Sequence, residues 1–185
     1  MLEKEKFFVL LLFCLGVFSC TKDVDFEQAN DFQVSPVVES SLIFLNEPAS
    51  QFVEDGVEIT SIQDEVLINI FNDAFIVDHL TKAEFVFDIT NSISRGFRLR
   101  VDFLDGMDQN LHVMTINVAA STDNSDSNQA HIETFEGNTL LALMATQKMV
   151  FTLYVLPGSP LSETSAGMIQ LQSKGVFYLD IGSSL

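Results

Sequence analysis

Tryptophan is absent from this chain, and tyrosine is scarce. Only Tyr154 and Tyr178 occur, against 17 phenylalanines. Tryptophan and tyrosine suit half-wet binding surfaces because each ring carries a polar group, whereas phenylalanine is more readily buried completely. The aromatic content therefore predicts a hydrophobic core, and it disfavours a saccharide site built on tryptophan and tyrosine platforms.

Basic residues are also scarce. The chain has 9 lysines and arginines against 26 aspartates and glutamates, which gives a formal net charge of −17. Because phosphate binding requires a basic face, we expect no nucleic-acid partner. Electrostatic docking to anionic lipid head groups is disfavoured for the same reason.

The cysteines are Cys14 and Cys20, both near the start of the chain. Residues 7–18 form an unbroken apolar run behind Lys4 and Lys6. A helix of that length rises only about 18 Å, too short for a hydrocarbon core of about 30 Å. The pattern indicates the apolar region of a secretion signal rather than a transmembrane anchor.

The next residues indicate the type of signal. Val17-Phe18-Ser19-Cys20 resembles the lipobox of bacterial lipoproteins, in which an aliphatic residue, a free position and a small residue precede cysteine. The resemblance implies that Cys20 carries a diacylglycerol and that the chain is cut between Ser19 and Cys20. Several acyl chains, at about 0.8 kcal/mol per buried CH₂, would give stable anchoring. The alternative is an ordinary signal whose mature chain carries a free cysteine.

The start of the mature chain resembles the surface-export signal of Bacteroidetes lipoproteins. Lys22 is followed by an acidic run that Val24 interrupts. Similarity to small outer-membrane lipoproteins of this group implies a lipid anchor in the outer membrane with the protein exposed at the cell surface; the periplasmic face is the alternative. We expect a signal peptide at 1–19, the lipidated cysteine and an acidic tether at 20–35, and one domain at 36–185.

Alternation of apolar and polar residues dominates the chain after residue 36. In residues 97–103 the odd positions are all apolar and the even ones all charged, and residues 83–90 have the same period. This period is typical of strands with one buried face. Asp105-Gly106 predicts a hairpin loop before a return strand at 111–118. Further strands are predicted at 42–45, 57–60, 66–71, 149–156 and 169–181, the last either bulged at Gly175 or divided in two.

Two segments have helical features. Asn72-Asp73 is expected to cap a short helix ending near Leu80, and Asn138 to cap a helix over 139–147, for which a strand is the alternative. Seven to nine short strands predict an all-β fold. We expect an antiparallel β-sandwich, immunoglobulin-like or related, with one or two short helices.

The sequence contains no motif for catalysis or cofactor binding. It has no Gly-x-Ser-x-Gly elbow and no glycine-rich phosphate loop. His131 and Glu133 would share one side of a strand, but zinc needs three or four ligands. Calcium-type oxygen ligands occur in the loop 121–129 without the EF-hand spacing, namely Asp123, Asn124, Asp126 and Asn128. We therefore expect no enzymatic activity, no cofactor and no metal.

All the arginines lie within six residues of one another, at Arg95, Arg98 and Arg100. Arg98 and Arg100 would point the same way from a strand. On a solvent-exposed sheet they would pair with Glu84 and Asp88 of the preceding strand, at little gain in stability. The alternative is a basic spot that docks a partner's carboxylates, with Arg98 and Arg100 as the docking residues.

These observations leave three candidate functions. The first is a lipid-anchored, non-enzymatic interaction protein that serves as an accessory subunit of an outer-membrane complex. The second is a surface module that binds a glycan or another nutrient. The third is a hydrolase with carboxylate or metal chemistry, which the absence of a recognisable motif disfavours.

Overall fold

The computed structural model describes residues 33–122 and 125–182. Residues Val34–Ile181 form one compact unit; of the other unit, 1–33 and 182–185, only Gln33 and Gly182 are described. The strands are β1 (Gln33–Val34), β2 (Val37–Pro48), β3 (Val53–Glu54), β4 (Val57–Glu58), β5 (Ser61–Leu67), β6 (Leu80–Asn91), β7 (Phe97–Leu104), β8 (Asn110–Val118), β9 (Ser127–Phe135), β10 (Lys148–Val155), β11 (Met168–Leu179) and β12 (Ile181–Gly182).

Alternation places the apolar side chains of the central strands on one face. Buried apolar residues alternate along these strands, namely Ala83, Phe85, Phe87 and Ile89 in β6, and Phe97, Leu99, Val101 and Phe103 in β7; the polar Asn91 at the end of β6 is also buried. The intervening polar positions are outside this core, so the predicted period is confirmed.

Eight strands form two antiparallel sheets. The β2 sheet has the order β2-β11-β6-β9, and the β5 sheet has the order β5-β10-β7-β8. Along the chain, the first of these eight strands pairs with the last, the second with the seventh, the third with the sixth, and the fourth with the fifth. This pairing is that of an eight-stranded jelly roll. The predicted antiparallel all-β sandwich is confirmed, but its immunoglobulin-like form is not, because that form divides its strands differently between the sheets.

Phenylalanine rings join the two sheets across the core. The ring centroid of Phe85, in the β2 sheet, lies 6.0 Å from that of Phe103 in the β5 sheet, and Phe135 of β9 lies 5.1 Å and 5.4 Å from these two. These are ordinary packing distances for aromatic pairs. Most described phenylalanines are core residues, as predicted; Phe44 and Phe75 are exposed.

The helices are short. Helix α1 (Ala74–His79) begins at the predicted cap, since Asp73 Oδ1 accepts a hydrogen bond from the Phe75 amide at 2.9 Å. Helix α2 (Asn138–Met144) was predicted to be capped by Asn138, which is wrong: Gly137 occupies the cap, with φ 52°, and contributes no side-chain bond. In the described ranges, no helix is both long enough and apolar enough for a membrane span.

Three further boundaries differ from the prediction. β5 ends at Leu67 and a 3-10 turn covers Ile70–Asn72, so the strand predicted at 66–71 is confirmed for its first two residues only. The loop predicted at 121–129 is shorter, because β9 begins at Ser127. β11 is a single strand without the bulge expected at Gly175; the register shifts occur between Gln172 and Lys174, where β2 has the extra residue, and between Tyr178 and Leu179, where β6 has it. Another 3-10 turn covers Ala49–Phe52.

The β7–β8 hairpin was predicted correctly. The two strands pair from Phe97–Val118 to Leu104–Asn110. Asp105 orders the connecting loop, because its Oδ1 accepts hydrogen bonds from the amides of Met107 at 2.8 Å and Gln109 at 2.9 Å. This loop is longer than a two-residue turn, as expected.

Candidate functional site

One side of the sandwich, the closed flank, is where β8 and β9 lie next to each other. His112 Nε2 of β8 lies 2.7 Å from Glu133 Oε1 of β9, so a polar contact joins the two sheets. Helix α2 contacts both strands and buries Leu140 and Leu143. The closed flank is therefore covered by a helix and fastened by a side-chain contact.

The closed flank contains a histidine–carboxylate cluster. Glu133 Oε2 lies 3.1 Å from His131 Nε2, while the His112 ring packs against Phe103 and Phe135 at centroid distances of 5.3 Å and 5.2 Å. The predicted common side of His131 and Glu133 is confirmed. Their meeting with His112 was not predicted, since it depends on which sheet holds β8. Across the described parts of the chain, no three His, Cys, Asp or Glu side chains are arranged to hold a metal ion.

The opposite side, the open flank, lies between the edge strands β2 and β5. Each of these strands is hydrogen-bonded on one side only among the described strands, β2 to β11 and β5 to β10. A cleft of about 220 Å³ separates them, and its floor is formed by the side chains of Leu99, Phe151, Leu153 and Leu171. A second cleft, of about 160 Å³, continues along the same flank between Ser40–Leu42 and Val66–Ile70. The open flank thus exposes part of the space between the sheets.

Two carboxylates line the larger cleft of the open flank. Glu47 pairs in register with buried Ile169, and Asp64 pairs with buried Phe151, so both acidic residues occupy inward-facing positions of their strands. Sequence reasoning missed them. A signal was available for Glu47, because it shares its parity with Leu45 and interrupts an apolar series.

The arginines divide into one structural residue and two exposed residues. Arg95 is buried, and its Nη2 lies 2.8 Å from Glu58 Oε1. Its other nitrogens donate to the carbonyl oxygens of Leu156 and Ser159. Glu58 Oε2 in turn accepts a hydrogen bond from the Leu161 amide at 2.6 Å. Arg95 therefore holds the 156–161 segment against β4 and is not part of a docking surface.

Arg98 and Arg100 lie together on the outer face of the β5 sheet, as predicted, but not beside Glu84 and Asp88. β6 and β7 belong to different sheets, so those acidic residues are on the opposite side of the sandwich. Arg100 Nη2 instead donates to Asp102 Oδ1 at 2.6 Å. The expected pairing with β6 is wrong because β6 and β7, although consecutive in the chain, lie in different sheets.

Arg98 and Glu84 have other partners. Arg98 Nε donates to Asn117 Oδ1 at 2.9 Å, across the β7–β8 pair. Glu84 accepts hydrogen bonds from Lys82 Nζ at 2.7 Å and from the Tyr178 hydroxyl at 2.9 Å. These two donors hold the pKa of the Glu84 carboxyl below its ordinary value. Docking of a partner by Arg98 and Arg100 stays a prediction.

Several predicted residues lie outside the described residues. These are the lipidation residue Cys20 with the cleavage position at Ser19, and the loop residues Asp123 and Asn124. Of the other oxygen ligands considered for calcium, Asp126 is exposed, and Asn128 accepts a hydrogen bond from Thr90 at 2.9 Å.

No family model matches the chain. No curated protein matches it either. Solved structures that resemble it include the VP2 subviral particle of infectious bursal disease virus (8% identity, TM-score 0.40), covering 80% of this chain and 33% of that one. The match to tailspike protein 4 of bacteriophage CBA120 has 10% identity and a TM-score of 0.38, and it covers 80% of this chain and 19% of the tailspike chain. The match to latent PorU of Porphyromonas gingivalis has 6% identity and a TM-score of 0.35, and it covers 82% of this chain and 13% of the PorU chain. The chain spans about a third of the length of the VP2 chain and less than a fifth of the length of the other two chains.

Proposed function

We propose that this protein is a lipid-anchored, non-enzymatic interaction subunit of an outer-membrane complex, and that its open flank receives an extended segment of a partner protein. The observation that carries the proposal is the open flank itself. Edge strands on both sides of a cleft offer backbone hydrogen-bonding groups to a strand-like segment, and pockets between the sheets offer burial for its alternate side chains.

The chemistry of the cleft specifies the partner segment. Apolar side chains form the floor, while the carboxylates of Glu47 and Asp64 line the cleft. A segment whose inward-facing row combines apolar residues with a lysine or arginine would complement both, because the stem carbons of the basic residue would contact the floor and its cation the carboxylates. The net charge of −17 disfavours an acidic segment.

The experiment is an affinity pull-down of the tagged, lipidated protein from mildly solubilised envelopes, read by mass spectrometry. We expect stoichiometric recovery of an envelope protein with the wild type and its loss with the double variant Glu47→Lys/Asp64→Lys. The matched control is Glu39→Lys/Glu65→Lys, which makes the same charge change on the outward faces of the same two strands.

The outcomes separate the parts of the proposal. Recovery of the bait alone would show that the interaction role is wrong. Equal recovery with both double variants would reject the open flank, and loss with Arg98→Ala/Arg100→Ala would then place docking on the outer face of the β5 sheet. Loss with the open-flank variant alone would support the whole proposal.

A further inference from the structure

A depression of about 370 Å³ lies on the outer face of the β2 sheet, and residues 41–43 of the edge strand separate it from the clefts of the open flank. Its origin is a bulge. Phe44 pairs with Gln172 and Ser41 with Lys174, so Leu42 and Ile43 together face the single residue Ser173. The outward side chains of β2 are thus three residues apart instead of two, which leaves a gap in the row.

The bulge is held in place by a side chain. Ser173 Oγ accepts a hydrogen bond from the Ile43 amide at 3.1 Å and donates one to the Ile43 carbonyl at 3.2 Å. The Ser173 hydroxyl thus bonds to both the amide and the carbonyl of Ile43, in place of the backbone groups of a regular strand pair. These two hydrogen bonds stabilise the bulge and therefore the depression that it creates.

One row of outward side chains crosses the depression. Phe44 on β2, Gln172 on β11 and Asp88 on β6 are direct register neighbours. Adjacent strands are about 4.8 Å apart, so Phe44 and Asp88 lie about 10 Å apart across Gln172. This span is wide enough for one ring of a sugar between an aromatic wall and a carboxylate.

The side chains of this row suit a polar ligand that has an apolar face. Phe44 is 65% exposed, although most described phenylalanines are buried. Asp88 and Gln172 are exposed, and their side chains have no hydrogen bond or ion pair among the described residues, which leaves a carboxylate acceptor and an amide available. Lys174 lies in the next row and is bound to Glu39 at 2.9 Å, which leaves the site without excess positive charge.

The geometry points to a binding site for a neutral saccharide in this depression, a function separate from the capture of a protein partner. The C–H face of a sugar ring would pack on the electron-rich face of Phe44. Its hydroxyl groups, which both donate and accept, would bond to Asp88 and Gln172. A volume of about 370 Å³ falls within the usual range for small-molecule sites. The Asp88 carboxylate disfavours anionic sugars.

The test uses the full lipidated protein in detergent, applied to an array of neutral and acidic oligosaccharides. Neutral glycans that are retained are then titrated by calorimetry. We expect Phe44→Ala to weaken binding by about tenfold or more and Asp88→Asn by a similar factor, while Phe44→Tyr retains it. The matched controls are Phe75→Ala, an exposed phenylalanine on α1, and Ile132→Ala, an exposed residue on the same sheet face.

Each contrary result overturns the inference. Absence of retention of any neutral glycan would reject a saccharide site. Binding that survives Phe44→Ala, or that is lost equally with Ile132→Ala, would place the ligand elsewhere. Selective retention of acidic glycans would contradict the charge argument. None of these results depends on whether the pull-down recovers a protein partner.

Discussion

At the scale of single residues, the arginines have different roles although they are neighbours in the sequence. Arg95 is buried and hydrogen-bonded to Glu58 and to two backbone carbonyls, whereas Arg98 and Arg100 are exposed. A buried guanidinium is tolerated only where its donors are satisfied. The structural role of Arg95 therefore follows from its partners, not from its place in a basic cluster.

We expect Arg95→Ala to lower the free energy of unfolding by roughly 3 kcal/mol, since it leaves Glu58 and two carbonyls without their donor. Arg95→Lys should cost roughly 1–2 kcal/mol because a lysine cannot reproduce the planar set of donors. Urea unfolding followed by circular dichroism gives these values. Arg98→Ala is the control, with an expected change within about 0.5 kcal/mol. Equal effects of Arg95→Ala and Arg98→Ala would contradict this assignment.

At the scale of elements, the edge strands carry charged residues at positions that oppose self-association. Unpaired strand edges are templates for pairing with another copy, and inward-pointing charges on edge strands oppose that pairing. Glu47 on β2 and Asp64 on β5 hold such positions along the open flank. On the closed flank, the corresponding inward positions belong to His112 and Glu133, which contact each other.

Removing the inward charges should therefore make the open flank associate. We expect Glu47→Val/Asp64→Val to elute as larger species than the wild type in size-exclusion chromatography with light scattering. Glu39→Val/Glu65→Val removes the same charge from the outward faces of the same strands and should elute like the wild type. Identical elution of both double variants would show that the carboxylates have no protective role.

Element types were more predictable than element neighbours. Residues 97–103 identified β7 because alternation is a local property, and Asp73 was a recognisable helix cap because its bond spans two residues. Asn138 was expected to be the cap of α2 but is its first residue. The cap position has a positive φ, which Gly137 adopts readily, and no side chain caps the helix. The β6–β7 pairing was assumed from order along the chain, which a jelly roll does not follow.

At the scale of the whole molecule, charge and anchor must be considered together. A chain with a net charge of −17 gains nothing from anionic lipid head groups, so the proposed membrane attachment requires acyl chains on Cys20. That residue lies outside the described residues, and its modification is a prediction from the lipobox.

We expect the wild type to stay with membranes in 1 M NaCl and to be released by detergent, because hydrophobic anchoring is insensitive to salt. Intact-mass spectrometry should show a chain that begins at Cys20 and carries acyl groups. Cys20→Ala should remove both the acyl mass and the cut after Ser19. An unacylated wild type that begins at another residue would instead indicate an ordinary secretion signal.

The sequence alone determined the all-β class, the hydrophobic core of phenylalanines and the absence of recognisable catalytic motifs, because side-chain alternation and composition are local properties. Only the tertiary structure decided which strands are neighbours. That arrangement brought His112 to Glu133, separated Arg98 and Arg100 from Glu84 and Asp88, left Glu47 and Asp64 in an open cleft, and aligned Phe44 with Asp88 across the β2 sheet. These relations depend on pairings between residues 21 to 130 positions apart, and no local pattern encodes such pairings.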